Sequence, residues 1–232
     1  AEEALKISSD KIQRFAYSVS HDLKNPAISI HGLTRLLSKK FEDTLGERGK
    51  NYCEQISKSA EQITALVEMI NIYISTKELP LKIESIKLAD LLVMVKEEFA
   101  VPLNIKQIEW KEPEYLPEIK ADRIAMSRVL RNLVDNALKY GGENLRKISI
   151  GYRENEKFHI LDVSDDGIGL TEEESRDIFG LFKRQKTADG IDGSGLGLAV
   201  VKEIAEQHGG TVWSEVSSPH GITFNISISK HL

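Results

Sequence analysis

Ser18-Val19-Ser20-His21-Asp22-Leu23-Lys24-Asn25-Pro26 lies inside a stretch whose apolar period is that of one long helix. Outward from it, Leu5, Ile12, Ala16, Val19, Leu23, Ala27, Ile30, Leu33, Leu37 and Phe41 recur mostly at steps of three and four. Such spacing lines them on one stripe and predicts a helix over residues 2–42. Asp43 to Gly49 holds Thr44, Gly46 and Gly49, a loop signal. A second helix is predicted to about Thr76, with Tyr52, Ile56, Ile63, Val67, Ile70 and Ile74 on its stripe. Two long helices and a short loop predict an antiparallel hairpin. One hairpin cannot cover both stripes, so a homodimer with a four-helix bundle is expected here.

Each helical residue turns by about 100°. His21 is two positions from Val19 and from Leu23, which puts it roughly 160–200° from the stripe, on the solvent side. On position alone, an ordinary exposed histidine is the commoner assignment. Its neighbours add chemistry. Asp22 can orient an imidazole tautomer and accept its proton. A neutral imidazole nitrogen is a competent nucleophile toward a phosphoryl group. Asn25 lies one turn on, and Pro26 withholds an N–H from the Asp22 carbonyl, predicting a bend. His31, His159, His208, His220 and His231 have no metal-ligand spacing and read as structural.

Pro80 closes the helical part, giving expected domains of residues 1–80 and 81–232. Beyond it, β-like runs (Ile105–Lys111, Lys147–Tyr152, Lys157–Ser164, Thr211–Glu215, Ile222–Ser229) alternate with helical runs (Leu88–Val101, Arg123–Tyr140, Leu196–His208). The mixture predicts an α/β sandwich, helices on one face of a mixed sheet. The segment from Asp166 to Ser194 is long for a loop in a compact domain, and such loops are usually functional or mobile. It carries Lys183, Arg184 and Lys186, cations expected to meet phosphates when a lid closes.

A chain of 232 residues suits one large or two modest domains. A net charge of −5 gives no electrostatic reason to expect nucleic acid. The single Cys53 excludes an internal disulfide framework; it reads as a half-buried structural thiol and fits a reducing, cytoplasmic setting. No run approaches the ~20 apolar residues of a membrane span. The chain begins Ala-Glu-Glu without Met or signal peptide, so it reads as a fragment of a longer protein that itself could be membrane-anchored.

Three downstream runs share a chemistry: Asn132-Leu-Val-Asp-Asn136-Ala-Leu-Lys139-Tyr140, Asp165-Asp-Gly167-Ile-Gly169 and Gly193-Ser-Gly195-Leu196-Gly197. Asn132 and Asn136 share a helix face, and Lys139 extends it. A carboxamide oxygen suits Mg²⁺, which takes few protein ligands and keeps phosphates and waters. Lys139 adds a point charge for phosphate. Asp165 ends an apolar strand, where a carboxylate can accept from the amino group of a base, and Gly167 and Gly169 let backbone approach a flat ring. Gly193, Gly195 and Gly197 open a helix, a phosphate-binding geometry. A Gly-x4-Gly-Lys-Ser/Thr run is absent, and the third run lacks the dinucleotide spacing. Each element alone is weak, and their joint occurrence in this order carries the weight.

Taken together these runs resemble the transmitter of a sensor histidine kinase of two-component systems, over essentially the whole chain. His21 with Asp22 and Pro26 resembles the H-box, the segment around Asn132 and Asn136 the N-box, Asp165 to Gly169 the G1 box, Phe179-Gly-Leu-Phe182 the F-box, and Gly193 to Gly197 the G2 box. The resemblance implies a dimerisation and phosphotransfer hairpin followed by an ATP-binding domain of the Bergerat type. It implies His21 as phosphoacceptor, Asn136 as Mg²⁺ ligand with Asn132 beside it, Lys139 and Tyr140 at phosphates or ribose, and Asp165 at the adenine. Phe182, Leu196 and the glycines would line the nucleotide, and Arg184 matches a position that reaches the γ-phosphate. The implied partner is the receiver domain of a response regulator. After the histidine, the common pattern Glu-Leu-Arg-Thr-Pro-Leu is replaced by Asp-Leu-Lys-Asn-Pro-Ala. Asp22 keeps the carboxylate, and Asn25 keeps a polar group able to orient water, consistent with phosphatase activity. Asp166 replaces a frequent Asn, a change expected to matter little.

Autokinase chemistry leads the expectations. A signalling scaffold that binds ATP and acts chiefly as a phosphatase is the alternative, separated by acid-labile label on His21. A chaperone-type or mismatch-repair-type ATPase of the same fold comes third, disfavoured by the histidine-bearing hairpin ahead of the nucleotide runs.

Overall fold

The computed structural model describes residues 2–42, 44–78, 80–180, 195–216 and 220–232; along the first helix, side chains are described at Val19 and from Asp22 onward. The described chain falls into two compact units that divide between Ser75 and Thr76.

The first unit is a pair of helices, α1 (Glu2–Lys40) and α2 (Gly46–Glu78). α1 continues through Pro26. α2 starts earlier than expected: Gly46, with φ of 58°, turns the chain, and Gly49 already belongs to the helix. Two ion pairs fix the register. Lys24 Nζ lies 2.8 Å from Glu68 Oε1, and His31 Nε2 lies 3.0 Å from Glu61 Oε1. Seven residues forward on α1 match seven back on α2, so the helices run antiparallel. Ala27 and Thr34 of α1 and Cys53, Ala60, Val67 and Ile74 of α2 are buried, again at steps of seven. Small residues at this seam let the helices approach closely. The predicted stripe of α1 is wider than this seam. Leu23, Ile30, Leu33, Leu37 and Phe41 remain exposed, Leu33 at 67%. On α2, Tyr52, Ile56 and Ile63 are exposed too.

In the second unit a five-stranded sheet has the order β2-β4-β5-β7-β6, with β2 (Glu109–Lys111), β4 (Lys147–Glu154), β5 (Phe158–Asp165), β6 (Val212–Val216) and β7 (Ile222–Ser229). β2 pairs with β4 in parallel, and the other neighbours are antiparallel. Registered partners turn Ile148, Ile150, Leu161, Val163, Phe224 and Ile226 to one buried face. That face is covered by helices. α5 (Arg123–Tyr140) packs on β5 and between α3 (Leu88–Glu98) and α7 (Gly197–Gln207). The expected sandwich of helices on one face of a mixed sheet is what forms.

Some elements differ from expectation. The predicted helix over 88–101 breaks at Phe99 into α3 and α4 (Ala100–Ile105). Ile105, expected to open a strand, ends α4; Gln107 with φ of 54° then reverses the chain, and Ile108 N–H bonds the Leu103 carbonyl. A two-stranded sheet of β1 (Ile83–Lys87) and β3 (Glu118–Asp122) goes beyond the sequence pattern. Its strands bury just Ile86, Ile119 and Ala121, too few for an apolar run. α6 (Glu172–Asp177) is wholly polar and held by a capping box, Thr171 Oγ1 accepting from Glu174 N–H while Glu174 returns the contact.

Asp122 joins several of these pieces. Its Oδ1 accepts from Ala125 N–H at the start of α5, and its Oδ2 accepts from Lys82 N–H ahead of β1. Its own N–H donates to Nε2 of fully buried His208, whose Nδ1 bonds the Ile204 carbonyl. That pattern makes His208 a neutral imidazole protonated at Nδ1. Burial pushes the Asp122 carboxyl up, but the N–H groups of Ala125, Lys82 and Ile124 outweigh it and hold it below the usual range. A depressed carboxyl stabilises above its unfolded pKa and loses that contribution as pH falls. Asp122→Ala is therefore expected to destabilise the protein by about 1–2 kcal/mol at pH 7, with the gap to wild type narrowing below about pH 4. Urea unfolding of both proteins at several pH values measures it.

Candidate functional site

α5 buries Met126, Val129, Leu130, Leu133, Val134 and Ala137 against the core. Steps of four leave Arg128, Asn132, Asn136 and Tyr140 along a half-buried edge. Asn132 Nδ2 donates to the Arg128 carbonyl at 2.9 Å, which aims Oδ1 at α7. A Cβ added to Gly197 would lie 2.9 Å from that oxygen. The Asn-containing run and the last glycine run, 65 residues apart in sequence, thus meet through Asn132 and Gly197. Gly195 has φ of 68°, and buried Leu196 precedes the helix, its carbonyl accepting from Val200 N–H. The N–H groups of the first turn of α7 therefore open beside the α5 edge, an anion-binding geometry.

Asn136 has no hydrogen-bond partner among the described residues, so its carboxamide is available to a ligand. Lys139 is committed in this state: Nζ sits 2.6 Å from Asp135 Oδ2. Tyr140 ends the helix at Gly141.

The Asp165 run packs against that end. Gly167 sits so close to the Gly141 backbone that a side chain has no room, and Ile168 N–H donates to the Gly141 carbonyl at 3.0 Å. Gly169 has φ of 74°, and a Cβ there would lie 2.7 Å from the Gly221 carbonyl. The segment is threaded between the end of α5 and the start of β7. Asp165 is 8% exposed, and its Oδ1 accepts from Gly167 N–H at 2.9 Å. Burial pushes its carboxyl up to about 6, opposed by N–H groups of Gly167 and Ile222 and reinforced by Asp166. A carboxylate has about four acceptor directions, so capacity remains for an amino group of a ligand. Asp166 serves the backbone instead. Its Oδ1 accepts from Arg146 and Lys147 N–H, both at 2.8 Å, fixing the start of β4. Asn supplies the same acceptor.

His21 is a residue of α1, followed by exposed Asp22 and, one turn on, exposed Asn25. Phe182, Arg184 and Gly193 lie outside the described residues, as do Lys183, Lys186 and the expected lid beyond Gly180. Phe179 is described and meets Phe224 edge-on, centroids 6.0 Å apart. Among the described residues no group of His, Cys, Asp and Glu could hold a metal ion, and no helix is long and apolar enough to cross a membrane. Gly141 and Gly221 are the residues that sequence reasoning misses, although the Gly141-Gly142 pair after Tyr140 is a visible turn signal.

Two family matches divide the chain. Residues 11–73 match the His Kinase A phospho-acceptor domain, and residues 121–232 match the histidine kinase-, DNA gyrase B- and HSP90-like ATPase family. This chain is a histidine kinase transmitter region. Among curated relatives, the phytochrome-like protein Cph1 of Synechocystis is 30% identical over 97% of the chain and 30% of its own length. Sensor histidine kinase YvrG of Bacillus subtilis is 31% identical over 91% of the chain and 37% of its own length. The transmitter spans about a third or less of its first-matching curated relatives, at 30%, 30% and 24% of their lengths. Full-length ShkA in complex with AMPPNP shares the fold at TM-score 0.72 and 24% identity, over 93% of this chain and 45% of that one. Histidine kinase ThkA in complex with response regulator TrrA matches at TM-score 0.67 and 28% identity, over 99% of this chain and 64% of that one.

Asp165 has a stability consequence. Its folded pKa, near 6, stands above the ordinary 3.8, so ionising it costs the native state. The contribution is complete below about pH 4 and lost as pH rises through 6, about 3 kcal/mol in all. Asp165→Asn is expected to gain on wild type by that order between pH 4 and pH 7. Guanidinium unfolding at both pH values checks it, and equal differences would remove the raised pKa.

Proposed function

We propose that this transmitter uses ATP to phosphorylate His21 and then passes the phosphoryl group to an aspartate of a response regulator. The carrying observation is the meeting of Asn132, Gly197, Gly141, Gly167 and Asp165 in one half-buried site, in a chain that also bears the His21-Asp22 helix. The adenine amino group donates to Asp165, the ring lies on the Gly167–Gly169 backbone, and the phosphates run toward the first turn of α7. The free carboxamide of Asn136 fits Mg²⁺, since one neutral oxygen leaves room for the waters and phosphate oxygens that the ion prefers. When bound, Mg²⁺ neutralises phosphate charge. In the transfer, the neutral His21 nitrogen attacks the γ-phosphorus, an N–P bond forms, the bond to the bridging oxygen of ADP breaks, and Asp22 takes the imidazole proton. Residues 1–80 serve as the dimerisation and phosphotransfer hairpin and residues 81–232 as the catalytic domain. The ThkA–TrrA complex supports a response regulator as partner. Exposed Asn25, one turn from His21, favours a second activity, orienting water to hydrolyse the phosphorylated regulator.

Incubation with γ-labelled ATP and Mg²⁺ is expected to label the wild type with an acid-labile bond. His21→Gln should abolish the label with nucleotide affinity intact, and Asn136→Ala should weaken Mg-ATP binding about tenfold. Undiminished label on His21→Gln would refute the assignment.

Homodimerisation rests on the exposed Leu23, Ile30, Leu33 and Leu37 of α1, a second apolar edge that its own hairpin leaves uncovered. Leu33→Glu is expected to shift the protein from dimer to monomer in sedimentation at micromolar concentration. A wild type that sediments as a monomer contradicts the bundle.

A further inference from the structure

α5 ends at the base end of the site. Tyr140 and Gly141 stand beside Gly167 and Asp165, where the base is placed under the proposed function. Going back along the same edge come Asn136, Asn132 and Arg128, each about 6 Å farther along the axis. Asn132 is level with Gly197, the first residue of α7. A triphosphate leaving the base and passing the first turn of α7 therefore advances toward the N-terminal half of α5. The next side chain it meets on that edge is Arg128. Asn132 and Arg128 are also linked directly, through Asn132 Nδ2 and the Arg128 carbonyl.

The cations on α5 are otherwise committed. Arg123 Nε lies 3.3 Å from Glu84 Oε1, Arg131 Nη2 2.6 Å from Glu98 Oε1, and Lys139 Nζ 2.6 Å from Asp135 Oδ2. Arg128 is half-buried and has no carboxylate partner among the described residues. A guanidinium partly withdrawn from water without a counter-charge is costly, and an anion arriving beside it removes that cost. Its planar fork pairs with two oxygens of one phosphate, and its place beyond Asn132 on the edge selects the phosphate farthest from the base.

We infer that Arg128 binds the terminal phosphoryl group of the nucleotide, so that the site distinguishes a triphosphate from a diphosphate from the α5 side. The inference rests on the nucleotide site proposed above and adds a residue to it. The test is titration calorimetry of wild type, Arg128→Ala and Arg128→Lys with AMPPNP and with ADP, each with Mg²⁺. Arg128→Ala should bind AMPPNP about tenfold more weakly and ADP within about twofold of wild type. Arg128→Lys keeps the charge and the stem and should lie between. It also serves where the Ala variant does not fold, because loss of the fork alone should still lower AMPPNP affinity and spare ADP. Equal losses for both nucleotides, or no loss for either, would overturn the assignment of Arg128 while leaving the nucleotide site standing. A wild type that binds neither nucleotide would instead overturn the site itself.

Discussion

Backbone pressed on backbone, Gly141 against Gly167, is the constraint from which the candidate nucleotide site follows. It fixes the end of α5 to the segment after β5 and leaves no room for a side chain between them. Because α5 is held there, its half-buried edge faces the first turn of α7, and Asn132 reaches Gly197. Because the segment after β5 is held there, Asp165 is buried at the strand end with one oxygen on Gly167. A carboxylate buried in this way works against the stability of the protein, an arrangement common at functional sites.

The hairpin obeys a different constraint. Its inner seam is made of small or slim residues at steps of seven, and its two ion pairs share one register. Ala27 and Ala60 bury little surface, so the seam alone is a thin core. The larger apolar side chains point elsewhere, Leu33 and Leu37 among them. A hairpin built in this way holds its register firmly while most of its hydrophobic surface stays available for another body.

Much of this is legible in the sequence where period and length are long. The periods of α1, α2 and α5 and the apolar alternation of β7 identify those elements, since each carries a continuous apolar stripe in its sequence. β1, β3 and α6 leave little trace because each contributes few buried side chains; α6 is fixed by its cap, and Thr171-x-x-Glu174 is its one signal. Residues 105–108 mislead because Ile105 and Ile108 suggest a strand that starts only at Glu109, whereas the turn at Gln107 depends on Ile108 N–H reaching the Leu103 carbonyl. At the site, residue types are readable but commitments are not. The i,i+4 spacing of Asp135 and Lys139 allows their ion pair, but nothing in the spacing tells that Asn136 is left free, nor that Asp166 serves the backbone of β4. Those depend on which neighbours the fold brings within reach.

The two ends of α7 are held in unlike ways. At its C-terminal end His208 is locked by hydrogen bonds on both ring nitrogens, one from Asp122 at the start of α5. At its N-terminal end Gly197 packs on Asn132, and Leu198, Val200 and Val201 are held by apolar burial with no directional bond of that kind. Ten residues of α5 span the same interval as eleven of α7, counted from Asp122 to Asn132 and from His208 back to Gly197. Mechanically this is a strut pivoted at one end. Lengthwise sliding breaks the buried imidazole bonds, whereas a tilt about His208 strains only apolar packing, and its amplitude is largest at the first turn.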